Sequence, residues 1–262
     1  MANDPIIETH TLLDLGPFRL LEATAIEVGR RADVTRVPIE AWGAAAKSGE
    51  TSFENVAYWE HAIAALGVDG SVPAVVCDDG RMTEAARVWF ILQYFGAEAF
   101  ILNGGWPVIQ GREDLRGFIP NPDTSAIFKA RPGSGPVGLV DRQTLKAELN
   151  TDVRIFDART AGEFAGKDLR RNSRGGHLRG ARLLPHGDLL DAGYLRPAKE
   201  LQQLLTNAGF RSGDQVVTHC DGGGRAALAA AAALRAGYHD VRAYYLSFAD
   251  WAKDESCAII QD

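Results

Sequence analysis

The sequence predicts an α/β protein made of two similar units, each a mainly parallel sheet flanked by helices. Short apolar runs ending in polar or glycine residues recur along the chain, the pattern of strands buried on both faces. Two of these runs are near-copies, PAVVC at 73–77 and QVVTH at 215–219, each followed by a turn, a helix-compatible stretch and another apolar run. A constant offset of 141 lays Val75–Val76 on Val216–Val217, Ala85–Ala86 on Ala226–Ala227 and Gly96 on Gly237. A repeat of this kind favours two homologous units over one large sheet. At 262 residues the chain is long enough for both.

In chain order, the first strand is expected at Phe18–Ala23 and the second at Pro73–Cys77, with AFILNGGW at 99–106 as a further apolar run. RLLEA at 19–23 pairs with RIFDA at 154–158 at an offset of 135. Between the units, prolines cluster and RPGSGP at 131–136 removes helix and strand options, so the linker is placed at 121–136. The first unit then spans 1–120 and the second 137–262. In the second, strands are expected at Val153–Asp157 and Gln215–His219. A helix follows the glycines directly, because Ala226–Leu234 are all alanine or leucine and Gly237 suits a C-terminal cap. The turn between strand and helix is expected at 221–224, with Cys220 ending the strand.

Composition narrows the function classes. A net charge of −6 argues against nucleic acid or an anionic membrane as partner. The N-terminus lacks a basic region and apolar core of the secretory kind, and no apolar run reaches the roughly 18 residues of a membrane span. A soluble, cytoplasmic protein is the expectation. Three cysteines without a CxxC pair argue against disulfides and structural zinc, and no cofactor is expected. One charge cluster stands out: Lys167, Arg170, Arg171, Arg174, Arg179 and Arg182 lie within 16 residues holding one acid, Asp168. The simplest reading is a solvated basic loop.

The stretch QVVTHCDGGGRAA at 215–227 carries the chemistry. A helix N-terminus presents unpaired N–H donors and about half a positive charge, and so stabilises an anion placed before it. Cys220 in that position is expected to be a thiolate nucleophile, with Asp221, Gly222, Gly223, Gly224 and Arg225 forming a cradle whose glycines let several amides converge. The plainer reading is a buried small residue at a strand end. Gly222 to Ala227 also fits G-x-G-x-x-A, but VRAYYLS lacks the acid that a dinucleotide site needs at the end of the next strand. His219–Cys220 starts a phosphatase-like HC-x5-R loop, yet four residues rather than five separate Cys220 from Arg225. The shorter loop suits an outer sulfur better than a tetrahedral phosphate.

These residues resemble the rhodanese superfamily, specifically its two-domain sulfurtransferases acting on thiosulfate or 3-mercaptopyruvate. Cys220, Gly223 and Arg225 match C-x-x-G-x-R; Asp157–Ala158–Arg159 matches D-x-R; Gly176–His177–Leu178–Arg179–Gly180–Ala181 is similar to GHIPGA. In the first unit Val75–Asp79, Ala85–Trp89 and Leu102–Trp106 resemble the family's non-catalytic domain. The resemblance implies a tandem of rhodanese-like domains with the second catalytic. Cys220 would take sulfane sulfur from a small anionic donor as a persulfide and pass it to a thiol or cyanide. It leaves two alternatives open: a 3-mercaptopyruvate enzyme, and a non-enzymatic sulfur-carrying or redox-sensing module.

The 141 offset sets Asp79 opposite Cys220 and Glu84 opposite Arg225, and two acids would repel an anionic donor. Arg159, Arg171, Arg174 and Arg179 are the candidates for binding the donor's charged end, with Arg225 offsetting Asp221. Arg159 has a second reading, a structural salt bridge with Glu163. Asp221 departs from the family pattern, since the place is commonly basic or small and hydroxylated. Its side chain is expected to face solvent or to cap the helix. Trp89, Trp106, Trp251 and Cys77 are read as packing residues, Cys257 as a surface or packing residue, and His219 and His177 as strand-end and turn residues.

Overall fold

The computed structural model describes residues 4–24, 34–119 and 125–261. The described chain divides into two compact units, the first 5–135 and the second 136–261 together with Asp4. Part of the expected linker, 121–124, lies outside the described residues. The rest up to Gly135 belongs to the first unit, tied to a helix end by Arg131 N–H to Phe95 O (2.8 Å) and Gly133 N–H to Tyr94 O (2.7 Å).

The first unit holds strands β1 (Ile6–Ile7), β2 (Arg19–Glu22), β3 (Thr35–Arg36), β4 (Ala74–Cys77) and β5 (Ala99–Leu102). Its helices are α1 (Ile39–Ala45), α2 (Val56–Ala64) and α3 (Thr83–Tyr94). The strands form one sheet in the order β1-β5-β4-β2-β3, every pair parallel. β4 and β2 are buried along their whole length, which explains why they read as unbroken apolar runs. One sheet face packs Leu20, Val75, Cys77, Leu102 and Trp106 into a single cluster. Elsewhere the aromatic rings of Trp42, Phe53, Trp59 and Phe95 stack or meet edge to face.

The second unit repeats this plan. Its strands are β6 (Val137–Leu139), β7 (Arg154–Asp157), β8 (Arg182–Leu183), β9 (Leu190–Asp191), β10 (Tyr194–Leu195), β11 (Val216–His219) and β12 (Val241–Ala243). Its helices are α4 (Arg142–Glu148), α5 (Ala161–Phe164), α6 (Ala198–Asn207), α7 (Gly224–Arg235) and α8 (Ser247–Trp251). The main sheet runs β6-β12-β11-β7-β8, again wholly parallel, while β9 and β10 form a small antiparallel pair. Two corrections follow at the turn. β11 stops at His219, so Cys220 is the first residue of the turn, and Gly224 is already the first residue of α7. Gly223, at φ 103°, is the N-cap. Such a φ is open to glycine and strained for residues with a side chain.

The repeat frame also shifts. Glu22 pairs with Cys77, and Asp157 with His219, in the two central strand pairs. Cys77 is therefore the counterpart of His219, and the residue after it, Asp78, is the counterpart of Cys220. β4 and β11 align at 142 and α3 and α7 at 141, because the turn before α3 holds one residue more than the turn before α7. An ungapped comparison misses this and points to Asp79 instead.

Candidate active site

β11 is the central strand of its sheet, and four residues separate its end from the start of α7. The alanine-rich face of α7 allows close packing: Ala226 to Ala233 are all completely buried. Strand and helix together fix the ends of a four-residue loop around Cys220, whose residue is 1% exposed.

Cys220 Sγ accepts the Gly223 N–H at 3.0 Å. A Cβ on Gly223 would lie 2.9 Å from Tyr245 O and 3.1 Å from the Tyr245 ring, so glycine is required for space as well as for φ. On the other side stands Ser247, fully buried and at φ 63°. Its Oγ accepts the Cys220 N–H at 3.1 Å, lies 2.8 Å from Tyr244 O and 3.7 Å from Cys220 Sγ. One hydroxyl proton can serve the carbonyl or the sulfur but not both fully. As charge gathers on sulfur, the proton has a second acceptor within reach.

Ser247 was not singled out in the sequence. Its signal lies in the repeat: Gly105, at φ 65°, holds the matching place in the first unit. In both units the next residue donates its N–H to the residue after the central strand, Trp106 to Asp78 O at 2.7 Å and Phe248 to Cys220 O at 3.0 Å. The pairing appears only at the 142 offset.

Asp221 does not cap α7. It is half-buried, and its Oδ1 accepts from Asn172 Nδ2 at 2.7 Å, which ties the basic loop to the cradle. Arg225 makes a bidentate pair with Glu163, both N···O distances 2.7 Å. Glu163 also closes a capping box with Thr160 at the start of α5. Burial pushes the Glu163 carboxyl upward, but the Arg225 and Thr160 hydrogen bonds and the Arg225 charge outweigh it and hold the group down at about 2. Arg225 braces α5 against α7; it is not a free cation beside Asp221.

The structure separates the other arginines. Arg159 is 2% exposed, and its guanidinium bonds both Asp157 oxygens and Gly176 O while lying 4.0 Å above the Phe248 ring. Its partner is Asp157 rather than Glu163, and its place is the interior of the fold. Arg174 donates to four backbone carbonyls, those of Trp251, Ala252, Asp254 and Cys257. It fastens the C-terminal segment and is not available to a donor. Arg171 and Arg179 are exposed.

His219 is fully buried, and its ring is held neutral, at about 4, because burial outweighs the opposing pull of Asp157. Its Nε2 lies 3.3 Å from Asp157 Oδ2 without hydrogen-bond alignment. His177 stacks on Phe164 at 3.8 Å. Trp251 and Cys257 sit in the second unit's core.

A central strand that delivers a cysteine to the glycine-lined start of a buried helix defines a cysteine-centred anion cradle of the rhodanese type. Residues 141–254 match the family described as Rhodanese-like domain. Residues 141–254, most of the second unit, carry this domain, and the two parallel sheets flanked by helices have the architecture of tandem rhodanese-like domains. It is 28% identical over 191 residues to a 3-mercaptopyruvate sulfurtransferase of Escherichia coli (strain K12), covering 71% of this chain and 67% of that one. It is 27% identical over 201 residues to a thiosulfate sulfurtransferase of Gallus gallus, covering 74% and 68%. In fold it is similar to the crystal structure of Tum1 from Saccharomyces cerevisiae, with TM-score 0.78 and 21% identity over 98% of this chain and 97% of the other.

Proposed function

We propose that the chain is a sulfurtransferase that carries sulfane sulfur on Cys220, moving it from thiosulfate or a related anionic donor to a thiophilic acceptor. The observation that carries this reading is the Gly223 N–H aimed at Cys220 Sγ at 3.0 Å, with the Ser247 hydroxyl behind it. The Cys220 thiolate attacks the outer sulfur of thiosulfate, a new S–S bond forms, and sulfite leaves with the electron pair of the old one. The persulfide charge then rests on the outer sulfur, where backbone N–H groups at the start of α7 face it. Cyanide or a thiolate takes that sulfur and returns the Cys220 thiolate. With 3-mercaptopyruvate as donor, the same attack breaks a C–S bond and releases pyruvate.

The first unit is non-catalytic on this reading, because a carboxylate cannot accept sulfane sulfur. Of the four arginines expected to bind the donor, Arg171 and Arg179 keep that role. The setting is cytoplasmic, in keeping with three unpaired cysteines. No helix among the described residues is long and apolar enough to cross a membrane.

The test is turnover of thiosulfate with cyanide, and of 3-mercaptopyruvate with a thiol, against a Cys220→Ser control. Thiocyanate or pyruvate release that disappears in the control is expected. Product formation unchanged in the control would overturn the assignment of Cys220. Intact mass after donor exposure should rise by one sulfur atom in wild type only.

A further inference from the structure

His186 takes no part in the steps above. Its backbone extends the pairing of β8 past the end of β7: Leu184 N–H donates to Asp157 O at 3.1 Å, and His186 N–H to Ala158 O at 3.1 Å. Ala158 N–H in turn donates to His219 O at 2.9 Å. His186 and the residue before Cys220 are therefore two strand spacings apart, about 10 Å, along the carboxyl end of the sheet. That gap suits one imidazole and one small thiol. The short helical turn His186–Leu189 packs against α7 and leaves the His186 ring half-buried, within the field of the Arg225–Glu163 pair. Its Nδ1 is buried and has no aligned hydrogen-bond partner among the described residues.

We infer that His186 is the general base of the acceptor half-reaction, taking the proton of an incoming alkyl thiol as that sulfur attacks the outer sulfur of the Cys220 persulfide. The inference rests on the sulfurtransferase reading. Cys220 attacks its donor as a thiolate and needs no base, whereas an alkyl thiol keeps its proton at pH 7 and is a poor nucleophile until it is lost. In the step, an S–S bond forms between the acceptor sulfur and the outer sulfur. The persulfide S–S bond breaks, and its electron pair returns to Cys220 Sγ. The acceptor's proton passes to His186 and from there to water, which a half-buried ring can reach. Burial pushes the His186 ring below its ordinary value and the Arg225 charge adds to this, against the Ala158 carbonyl, Glu163 and Asp188. The ring is thus neutral at pH 7, the form a base requires.

The test separates the two half-reactions in full-length wild type, His186→Phe and His186→Gln. Each protein is loaded with thiosulfate, followed by mass, and then unloaded with 2-mercaptoethanol or with thionitrobenzoate, an aryl thiol already ionised at pH 7. Loading should be unchanged in both variants, which also shows that they fold. Unloading by 2-mercaptoethanol should slow by about tenfold or more, the loss of a general base, while unloading by thionitrobenzoate stays as in wild type. Equal slowing with both thiols, or none with either, would overturn the inference. Should neither variant load, the wild type decides by its pH profile. With a base in place, its unloading by 2-mercaptoethanol should change little between pH 7 and pH 8. Without one, the rate follows the thiolate fraction and rises about tenfold per pH unit, and that slope in wild type would overturn the inference. Wild type that takes up no sulfur from any donor would instead overturn the sulfurtransferase reading itself, and this inference with it.

Discussion

Ser247 keeps a left-handed backbone that costs a residue with a side chain about 1–3 kcal/mol. In the first unit the matching residue is glycine, which adopts that φ without strain. The retained hydroxyl therefore has a compensating use, and its contacts point to Cys220. Ser247→Gly relieves the strain but leaves the Cys220 N–H without its acceptor, so stability should change by only about 1 kcal/mol. Sulfur loading should slow by about tenfold to a hundredfold, as for loss of one donor to a developing anion. Single-turnover loading followed by mass, alongside urea unfolding, separates the two effects. Asp221 poses the opposite case, an acid next to Cys220. Asp221→Asn keeps a carbonyl oxygen for Asn172 and removes the charge. It should raise kcat/KM for thiosulfate several-fold, with the gain shrinking at high salt. A salt-independent change, or a fall, would mean that the charge does not face the donor.

At the scale of elements, the Glu163–Arg225 pair fastens α5 to α7. Glu163 is 1% exposed at its side chain, so breaking the pair leaves a largely buried guanidinium unpaired. Glu163→Gln should cost about 3–5 kcal/mol at pH 7, read from denaturant midpoints. The sign of the pH effect follows from a folded value of about 2 against 4.5 for the free group. The stabilisation is complete above pH 4.5 and is lost as pH falls toward 2. The gap between wild type and Glu163→Gln should therefore narrow over that window. A gap that is constant from pH 7 to pH 3 would show that the pair's charge contributes nothing. Arg174 does comparable work for the C-terminal segment. Arg174→Ala leaves four carbonyls without their shared donor and should destabilise by about 3 kcal/mol, with exchange rising first in residues 251–257.

Across the whole molecule the three thiols divide by environment. Burial pushes the Cys77 thiol well up, with Glu22 and Asp78 adding to it, and burial and Asp254 push Cys257 up. Cys220 alone sits on a helix N-terminus with an amide donated to its sulfur. Limited treatment of the native protein with iodoacetamide should label Cys220 first, Cys77 and Cys257 only after unfolding; peptide mapping reads this directly. Early labelling of Cys257 would contradict its place in the core.

Much of this was legible beforehand. Buried parallel strands are written as unbroken apolar runs, so β2, β4, β7 and β11 were found within a residue at each end. The cysteine, the glycines and the helix start lie within a few residues of one another, so local geometry alone defined the cradle in the second unit. What depended on distant pairing was not legible. Arg174 and Arg225 look alike in a basic sequence, yet four carbonyls and Glu163 bind them, and those partners lie 77–83 and 62 residues away. Asp221 and Asn172 meet across 49 residues, and Ser247 reaches Cys220 across 27. The sequence by itself determined the class of fold, the repeat and the strand-turn-helix setting of Cys220, because each rests on periodicity or on neighbours along the chain. Only the tertiary structure decided which charges remain free and that Asp78, not Asp79, is the counterpart of Cys220. Those follow from strand register and side-chain partners, which no spacing along the chain encodes.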